Sequence, residues 1–315
     1  MRRLGRAVQS RHRFMPTVII RTYGGQMTER DSEAVAGQVS GLRAIGGMAD
    51  LPAGFLPCEF WGRFWLRMSG ATRIVIQLLC LGALALTSCS PEVASTSAPI
   101  LLFNGTGTSP NDVAAVEIIL KERHLEYAKA DSRRLNGMSD SQLMACRLLI
   151  VPGGNFLTMG DSLTPSAMTN IHNAVQGGLN YLGICAGGLL AGQASYRSLN
   201  LTEGRRFDFY AVVNRGIHKA SVAITGVGSP AIEHYWEDGP QFTGWGAVVG
   251  KYPDGSPAIV EGMSGKGWVI LCGVHPEAPA SWRRGMSFTT PASAANAYAG
   301  TLIDAALQGT RLPHF

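Results

Sequence analysis

Several patterns that would place this chain in a common functional class are missing from its sequence. None of its 6 cysteines forms a C-x-x-C pair and its 7 histidines show no ligand-like spacing, so no metal site is predicted. Gly105 and Gly107 lack the third glycine of a dinucleotide-binding loop. We therefore expect neither a metal nor an organic cofactor.

Basic residues are also scarce in most of the chain. Residues 1–67 hold 10 Arg, no Lys and 5 acidic residues, which accounts for the whole net charge of +5. From residue 68 onwards the charges balance and no basic run occurs. Binding to phosphates needs clustered Lys and Arg, so the sequence argues against a nucleic-acid partner.

The apolar segment Ile74–Ala85 is too short to cross a membrane, because about 12 residues fall short of the roughly 20 that a bilayer requires. A positively charged stretch, residues 68–73, precedes it, and residues 86–89 after it resemble a lipobox. The pattern predicts a lipoprotein signal peptide over residues 68–88, with diacylation of Cys89. Ser90 lacks the acidic mark of inner-membrane retention, so we expect a periplasm-facing domain anchored in the outer membrane.

A signal peptide acts from the N-terminus, which makes the preceding residues 1–67 puzzling. We predict that Met68 is the true start and that residues 1–67 are an over-extended reading frame. The alternative is a genuine disordered extension. Residues 89–98 are small and polar, as expected of a flexible tether, and residues 99–315 are long enough for one domain.

Within residues 99–315, strand-like and helix-like segments alternate. This order predicts an α/β fold: a flavodoxin-like, mostly parallel sheet with helices on both faces and a β-rich insertion before the last strand. The predicted strands are 100–103, 125–130, 148–151, 179–184 and 268–273; helices begin near Ser109, Ser139 and Thr164 and fill 291–308; the insertion is 207–270.

The pentapeptide Gly183–Gly187, GICAG, lies between a predicted strand and a predicted short helix. A G-x-C-x-G motif there is the thiol counterpart of the nucleophile elbow, whose glycines permit a sharp turn. The helix N-terminus favours a thiolate, so Cys185 is the candidate nucleophile. The alternative is a buried structural cysteine.

His275 and Glu277 follow the last predicted strand, separated by a proline. A histidine can hold the proton of the thiol, and a carboxylate two residues later can orient the ring. The sequence thus predicts a triad of Cys185, His275 and Glu277.

The oxyanion formed in such chemistry needs two donors. The amide of Ala186 is one candidate, and the amide of Gly154 is the second. Gly153 permits close approach of the backbone to a substrate, although a tight turn alone would also explain these glycines. Asn104 is a candidate substrate contact or the cap of its own loop.

These motifs resemble the class I glutamine amidotransferase-like superfamily. The loop 103–109 (FNGTGTS), the loop 151–154 (VPGG), the GICAGG elbow and the stretch 273–283 (GVHPEAPASWR) resemble the branch called the biotin-protein ligase N-terminal domain. The resemblance covers roughly residues 99–283. It implies the flavodoxin-like fold and the triad chemistry, and the branch takes its name from fusion to biotin ligases.

Two departures qualify what the resemblance implies. No Gly-Arg-Gly-Arg-like loop of the ligase is present, so biotin ligase activity is not expected. Leu189 stands where true glutaminases usually carry a glutamine that holds the substrate amide, which argues against glutamine as substrate.

The sequence therefore favours an envelope-anchored thiol hydrolase that acts on a small amide or peptide-like substrate, with no ammonia-channelling partner. Two alternatives stay open: a non-catalytic small-ligand-binding module, or a redox sensor at Cys185. His124, His172, His218 and His234 lie outside the motifs; His234, with Glu233, could instead line the pocket.

Cys146 and Cys272 are predicted to be separate buried thiols. They are expected at opposite ends of the sheet, too far apart for a disulfide.

Overall fold

The computed structural model describes residues 98–194 and 197–315. The predictions for residues 1–67, the signal peptide 68–88, the lipidated Cys89 and nearly all of the tether fall outside these residues. Across the described ranges, no helix has both the length and the apolar character that spanning a membrane demands.

The described elements alternate between strands and helices up to Ala191 and become mostly strands afterwards. The strands are β1 (Ile100–Phe103), β2 (Tyr127–Ala130), β3 (Leu148–Val151), β4 (Asn180–Ile184), β5 (Asp208–Phe209), β6 (Lys219–Gly226), β7 (Ile232–Glu237), β8 (Pro240–Gln241), β9 (Ala247–Lys251), β10 (Pro257–Ser264) and β11 (Gly267–Cys272). The α-helices are α1 (Pro110–Glu122), α2 (Ser132–Gly137), α3 (Asp140–Met144), α4 (Phe156–Ser162), α5 (Pro165–Gly177), α6 (Ala186–Ala191) and α7 (Ala292–Gln308).

Nine of these strands form one sheet in the order β2-β1-β3-β4-β11-β10-β9-β6-β7. The first five run parallel to one another, and the last four join by antiparallel pairing. The fold is thus the α/β arrangement that the sequence predicts. The predicted β-rich insertion extends the main sheet, and only the short pair β5 and β8 forms a separate sheet.

The parallel strands are buried on both faces because successive side chains point to opposite sides. In β1, Ile100 and Leu102 join one core layer with α1 and α7. Leu101 and Phe103 join the other layer, which contains side chains of α2 to α6. Helices therefore cover both faces, as predicted.

Capping fixes where the helices begin. The Ser109 side chain accepts a hydrogen bond from the Asp112 amide at 3.4 Å, and Pro110 occupies the first turn of α1. Thr164 caps α5 in the same way through the Ala167 amide. The short helices α2 and α4 were not predicted, because six or seven residues carry too little periodicity.

The carboxyl ends of β1, β3, β4 and β11 meet at one edge of the sheet, which is where ligands bind in open α/β sheets. The segments leaving this edge contain Asn104, Gly153, Cys185 and His275. At the cysteines, the structure agrees with prediction: Cys146 and Cys272 are free and buried.

Candidate active site

Cys185 occupies the turn between β4 and α6 in a strained backbone conformation. Its φ is 48° and its ψ is −106°, a region that residues with a side chain rarely adopt. The Cys185 amide donates to the carbonyl oxygen of Cys272 at 2.7 Å, which ties the elbow to the end of β11. The side chain is largely buried, at 6% exposure. This is the geometry expected of a nucleophile elbow.

The elbow glycines are required by close backbone contacts. A Cβ on Gly187 would lie 2.0 Å from the carbonyl oxygen of Val151, and one on Gly183 would lie 2.6 Å from the oxygen of Gly187. No side chain fits at either position without moving backbone. Glycine at both positions therefore lets the turn close against the end of β3.

His275 lies in the turn after β11 and is held by the hairpin of β6 and β7. Its amide donates to the carbonyl oxygen of Tyr235 at 2.8 Å. The ring contacts those of Tyr235 and Trp282 edge to face, with centroids 5.8 and 5.9 Å away. These contacts fix the imidazole among elements that are distant in sequence.

The predicted pairing of His275 with Glu277 is present as a contact. His275 Nδ1 lies 2.9 Å from Glu277 Oε1, and both residues are buried. Because Nδ1 faces the carboxylate, Nε2 is the ring nitrogen left for the thiol or a substrate.

A second carboxylate, which the sequence did not reveal, lies against the same nitrogen. Asp112 Oδ1 is 3.1 Å from His275 Nδ1. Asp112 belongs to the first turn of α1, where an acidic residue is ordinary and draws no attention. The available clue was topological, because α1 starts at the same sheet edge as the elbow and the His275 turn.

The absence of a side chain at Gly153 is what allows Asp112 to approach the His275 ring. A Cβ at this position would lie 2.1 Å from Asp112 Oδ1 and 2.7 Å from His275 Cε1. The predicted loop glycine thus adjoins the histidine and the unexpected acid, and its contact with a substrate stays a prediction.

Charge and burial act against each other in this cluster. Burial lowers the pKa of His275, but the negative charges of Cys185, Glu277 and Asp112 outweigh it and raise that pKa well above its usual value. Burial raises the pKa of Asp112, yet His275 prevails and the pKa is lowered. For Glu277 burial prevails over the attraction of His275, and the pKa is raised.

Two amides at the predicted oxyanion positions have no described hydrogen-bond acceptor. Within residues 98–194 and 197–315, neither the Ala186 nor the Gly154 amide donates a recorded hydrogen bond. Thr108 and Gly154 pair as an antiparallel bridge, held by bonds from Ser109 to Gly153 and from Asn155 to Gly107. The roles of Ala186 and Gly154 as oxyanion donors remain predictions.

The end of β7 covers the thiol, which the sequence also did not reveal. Cys185 Sγ lies 3.5 Å from the carbonyl oxygen of Glu237. A carbonyl oxygen carries no residue-type signature, so its place near a thiol is visible only in the fold. The Glu237 side chain accepts a hydrogen bond from the Tyr235 hydroxyl and lies 3.1 Å from Lys219 Nζ.

The other candidates have simpler surroundings. Asn104 lies at the end of β1 with its side-chain oxygen buried and unpaired among the described residues, so its substrate role stays a prediction. His234 is buried on the opposite side of β7 from Tyr235, with its ring 5.6 Å from that of Tyr298. Glu233 accepts hydrogen bonds from the Thr289 and Thr290 amides instead of joining the cluster.

The oxygen and nitrogen atoms of Asp112, His275 and Glu277 lie within 4.8 Å of one another, and could in principle hold a metal ion. The 2.9 Å separation is equally that of an N–H···O hydrogen bond, and the 3.1 Å separation is that of an ion pair.

Residues 98–221 match the family model described as Biotin-protein ligase, N terminal. The match includes Cys185 and Asp112 and ends before His275. The biotin–protein ligase of Schizosaccharomyces pombe (strain 972) is 29% identical over 164 residues, which cover 41% of this chain and 25% of that protein. The chain thus spans about a quarter of the length of the curated relative it matches.

Two solved structures are similar in layout. A crystal structure of a glutamine amidotransferase has 19% identity and a TM-score of 0.46, covering 57% of this chain and 90% of that one. A glutamine amidotransferase from Thermotoga maritima has 11% identity and a TM-score of 0.46, covering 66% and 97%. With both TM-scores below 0.5, neither likeness bears on activity.

The family model and the motifs along the sheet edge agree. The family model matched by residues 98–221, Biotin-protein ligase, N terminal, carries the name of the branch that the sequence motifs resemble.

Proposed function

We propose that this domain is a thiol hydrolase that cleaves a small amide or peptide-like substrate with Cys185 as the nucleophile. One observation carries the proposal: a cysteine on a strained strand-to-helix turn interacts electrostatically with a buried histidine whose Nδ1 contacts carboxylates. Nucleophile, base and orienting acid are the three parts that covalent catalysis of this kind requires.

In the first half of the reaction, Cys185 Sγ attacks the substrate carbonyl carbon and the π electrons move to its oxygen. The C–N bond then breaks, and the leaving nitrogen takes a proton from Nε2 of the His275 imidazolium. An acyl group remains on sulfur as a thioester, and His275 is left neutral. The raised pKa of His275 supports this order, because it favours an imidazolium that can donate.

In the second half, water attacks the thioester carbonyl and gives one proton to His275 Nε2. The C–S bond breaks, the carboxylic acid leaves, and the thiolate and imidazolium are restored. The Ala186 and Gly154 amides are assigned to the oxyanion in both halves, because each is an unpaired donor among the described residues.

The surroundings of the thiol support a polar substrate other than glutamine. Leu189 is buried at 4% exposure and offers no polar group to hold a side-chain amide. Lys219 and Glu237 have side chains that are 50% and 32% exposed beside the covering strand. We assign the Lys219 and Glu237 side chains to the rim of the opening through which a substrate would reach Cys185.

The test is the rate of iodoacetamide labelling of Cys185 against pH in the purified full chain, followed peptide by peptide by mass spectrometry. We expect fast labelling well below pH 8.5, the ordinary thiol pKa, and at least about a tenfold loss of rate in His275→Ala. His314→Ala is the matched control, because His314 is exposed and its ring lies 3.2 Å from the Leu312 carbonyl oxygen in the C-terminal segment. Adding a chelator is expected to leave every rate unchanged.

Labelling that rises only near pH 8.5 and ignores His275→Ala would demote the triad to inherited architecture. If the labelling result holds, incubation with small amides should release ammonia or amine and leave a transient acyl mass on the Cys185 peptide. An activated thiol without any acyl intermediate, but with reversible oxidation, would instead favour a redox sensor.

We propose separately that the domain is anchored in the bacterial envelope through acyl chains on Cys89. The motif of residues 68–89 supports this. Labelled fatty acid should enter the wild-type chain in cells and be absent from Cys89→Ala. Equal incorporation in both, or a native product that retains residues 1–67, would contradict the anchoring and the start at Met68.

A further inference from the structure

His275 Nδ1 contacts two carboxylates, although it can carry only one proton. Glu277 Oε1 lies at 2.9 Å and Asp112 Oδ1 at 3.1 Å. Glu277 is 2% exposed, Asp112 is 7% exposed and His275 is 4% exposed, so little water reaches these side chains. A buried acid that is ionised needs compensation, and the two acids have different means of obtaining it.

Asp112 has the better position for a negative charge. It lies in the first turn of α1, a helix of 13 residues, where the helix dipole and the amides at its N-terminus favour an anion. The Ser109 side chain is within reach of the same turn, accepting from the Asp112 amide. The packing of Gly153 holds the Asp112 carboxylate in place against the imidazole.

Glu277 lacks these advantages. It follows β11 in a turn and not at a helix N-terminus. Among the described residues, Asp112 Oδ1 is buried without a hydrogen bond but lies 3.1 Å from His275 Nδ1, whereas the second oxygen of Glu277, Oε2, is buried without a hydrogen-bond partner. An ionised carboxylate there is poorly compensated, although the contact with His275 still fixes the ring.

We propose that Asp112 is a second positioning residue for His275, which supplies the anionic partner that keeps the imidazolium charged, while Glu277 orients the ring. This division rests on the proposed function, since it assigns a task to an acid outside the predicted triad. The lowered pKa of Asp112 and the raised pKa of Glu277 agree with it, although both carboxylates contribute to the raised pKa of His275.

The other titratable groups around the ring do not replace Asp112. Tyr235 on β7 and Cys272 on β11 pack near His275. Burial raises the pKa of each to about 12, so both are neutral at pH 7. Cys185 also interacts electrostatically with His275, but in the proposed reaction its sulfur becomes bonded to the acyl group.

The experiment is an NMR titration of the His275 ring in the full chain, together with Cys185 labelling at pH 7. In wild type we expect a midpoint above the ordinary value of about 6.5. Asp112→Asn keeps the shape of the side chain and removes its charge. It should therefore lower the His275 midpoint by at least about one pH unit and slow Cys185 labelling about tenfold. Glu277→Gln should shift the midpoint less and change the ring-nitrogen shifts that report on tautomer and orientation.

Asp140→Asn is the matched control, because Asp140 is also a first-turn acid, in α3, but contacts no histidine among the described residues. Asp112→Glu restores the charge and should keep the His275 midpoint raised. The Asp112→Glu variant also tests the proposal if Asp112→Asn does not fold.

A raised wild-type midpoint that is unaffected by Asp112→Asn, or lowered more by Glu277→Gln, would overturn the division between the two acids. A lowered midpoint in Asp112→Glu would overturn it as well. By contrast, an ordinary midpoint in wild type together with slow Cys185 labelling would refute the proposed function itself, so the two failures are distinguishable.

Discussion

The surroundings of His275 and of His234 meet along β7, yet they act on a buried imidazole in opposite ways. Burial lowers the pKa of both rings. Around His275 the nearby negative charges outweigh burial and raise the pKa. Around His234 burial acts with the positive charge of Arg283, and the pKa falls to about 3. Burial alone thus favours the neutral ring, and nearby negative groups are what favour the cation in a buried histidine.

The two cysteines at this edge of the sheet lie in different surroundings. Cys272 ends β11 within the core, and burial raises its pKa to about 12. Cys185 follows the adjacent strand, β4, at the N-terminus of α6, and it interacts electrostatically with His275. Both cysteines are buried, so a difference in their reactivity would have to come from the elbow and from the charges around it.

The largest expected effect is on iodoacetamide labelling, when the Cys185 thiol is removed and the Cys272 thiol is removed for comparison. At pH 7 a thiol with a pKa of about 12 is a thiolate in only about one molecule in 100,000, so Cys272 should be inert. Cys185→Ala should abolish the fast phase of iodoacetamide labelling in the full chain, a loss of at least about 100-fold. Cys272→Ala should leave that phase unchanged within about twofold. Fast labelling on the Cys272 peptide would remove the distinction between the two thiols.

Much of the triad-bearing region could be predicted from the sequence, because its determinants are local. The Ser109-Pro110 cap, the apolar run of β3 and the GICAG turn each specify structure within a few residues. The contact between His275 and Glu277 also follows from a spacing of two residues.

The remainder depends on contacts between distant segments. Asp112 looks like any first-turn acid, and only the parallel order of β1, β3 and β4 brings it to His275. Glu237 reaches Cys185 through a backbone carbonyl, which no residue type encodes. The position of His275 against the β6–β7 hairpin depends on pairing between Tyr235 and His275, which are 40 residues apart in the sequence.

The next largest expected effect is a loss of folding stability in acid, which is caused by the protonation of His234. The folded state holds this proton more weakly than the unfolded state, since the pKa is lowered from 6.5 to about 3. Stability is therefore present above pH 6.5 and is lost as the pH falls toward 3. At about 1.4 kcal/mol per pH unit, the loss between pH 6.5 and 4 is about 3 kcal/mol.

Urea unfolding at pH 7 and pH 4 measures this loss. His234→Asn has no titrating ring and should lose about 3 kcal/mol less than wild type between the two pH values. His314→Asn, at an exposed ring, should follow the wild type. Equal losses in wild type and His234→Asn would mean that His234 is protonated in the folded state, and the contrast with His275 would disappear.

The smallest expected effect tests the elbow, through a pair of glycine substitutions. Gly187→Ala places a Cβ 2.0 Å from the Val151 carbonyl oxygen, so the turn must shift; overpacking of this kind costs about 1–3 kcal/mol. Gly137→Ala, in α2, meets nothing within 4 Å and should stabilise the chain by up to about 1 kcal/mol. The two variants add the same methyl group, so their urea midpoints compare position alone.

The same pair separates reactivity from stability. Because Gly187 holds the helix N-terminus beside Cys185, Gly187→Ala should also slow Cys185 labelling, while Gly137→Ala leaves it unchanged. If Gly187→Ala destabilises the chain but keeps the wild-type labelling rate, the thiol is activated by His275 without help from the elbow. The difference between Cys185 and Cys272 would then rest on the acids alone, and Asp112 would become the decisive residue of the site.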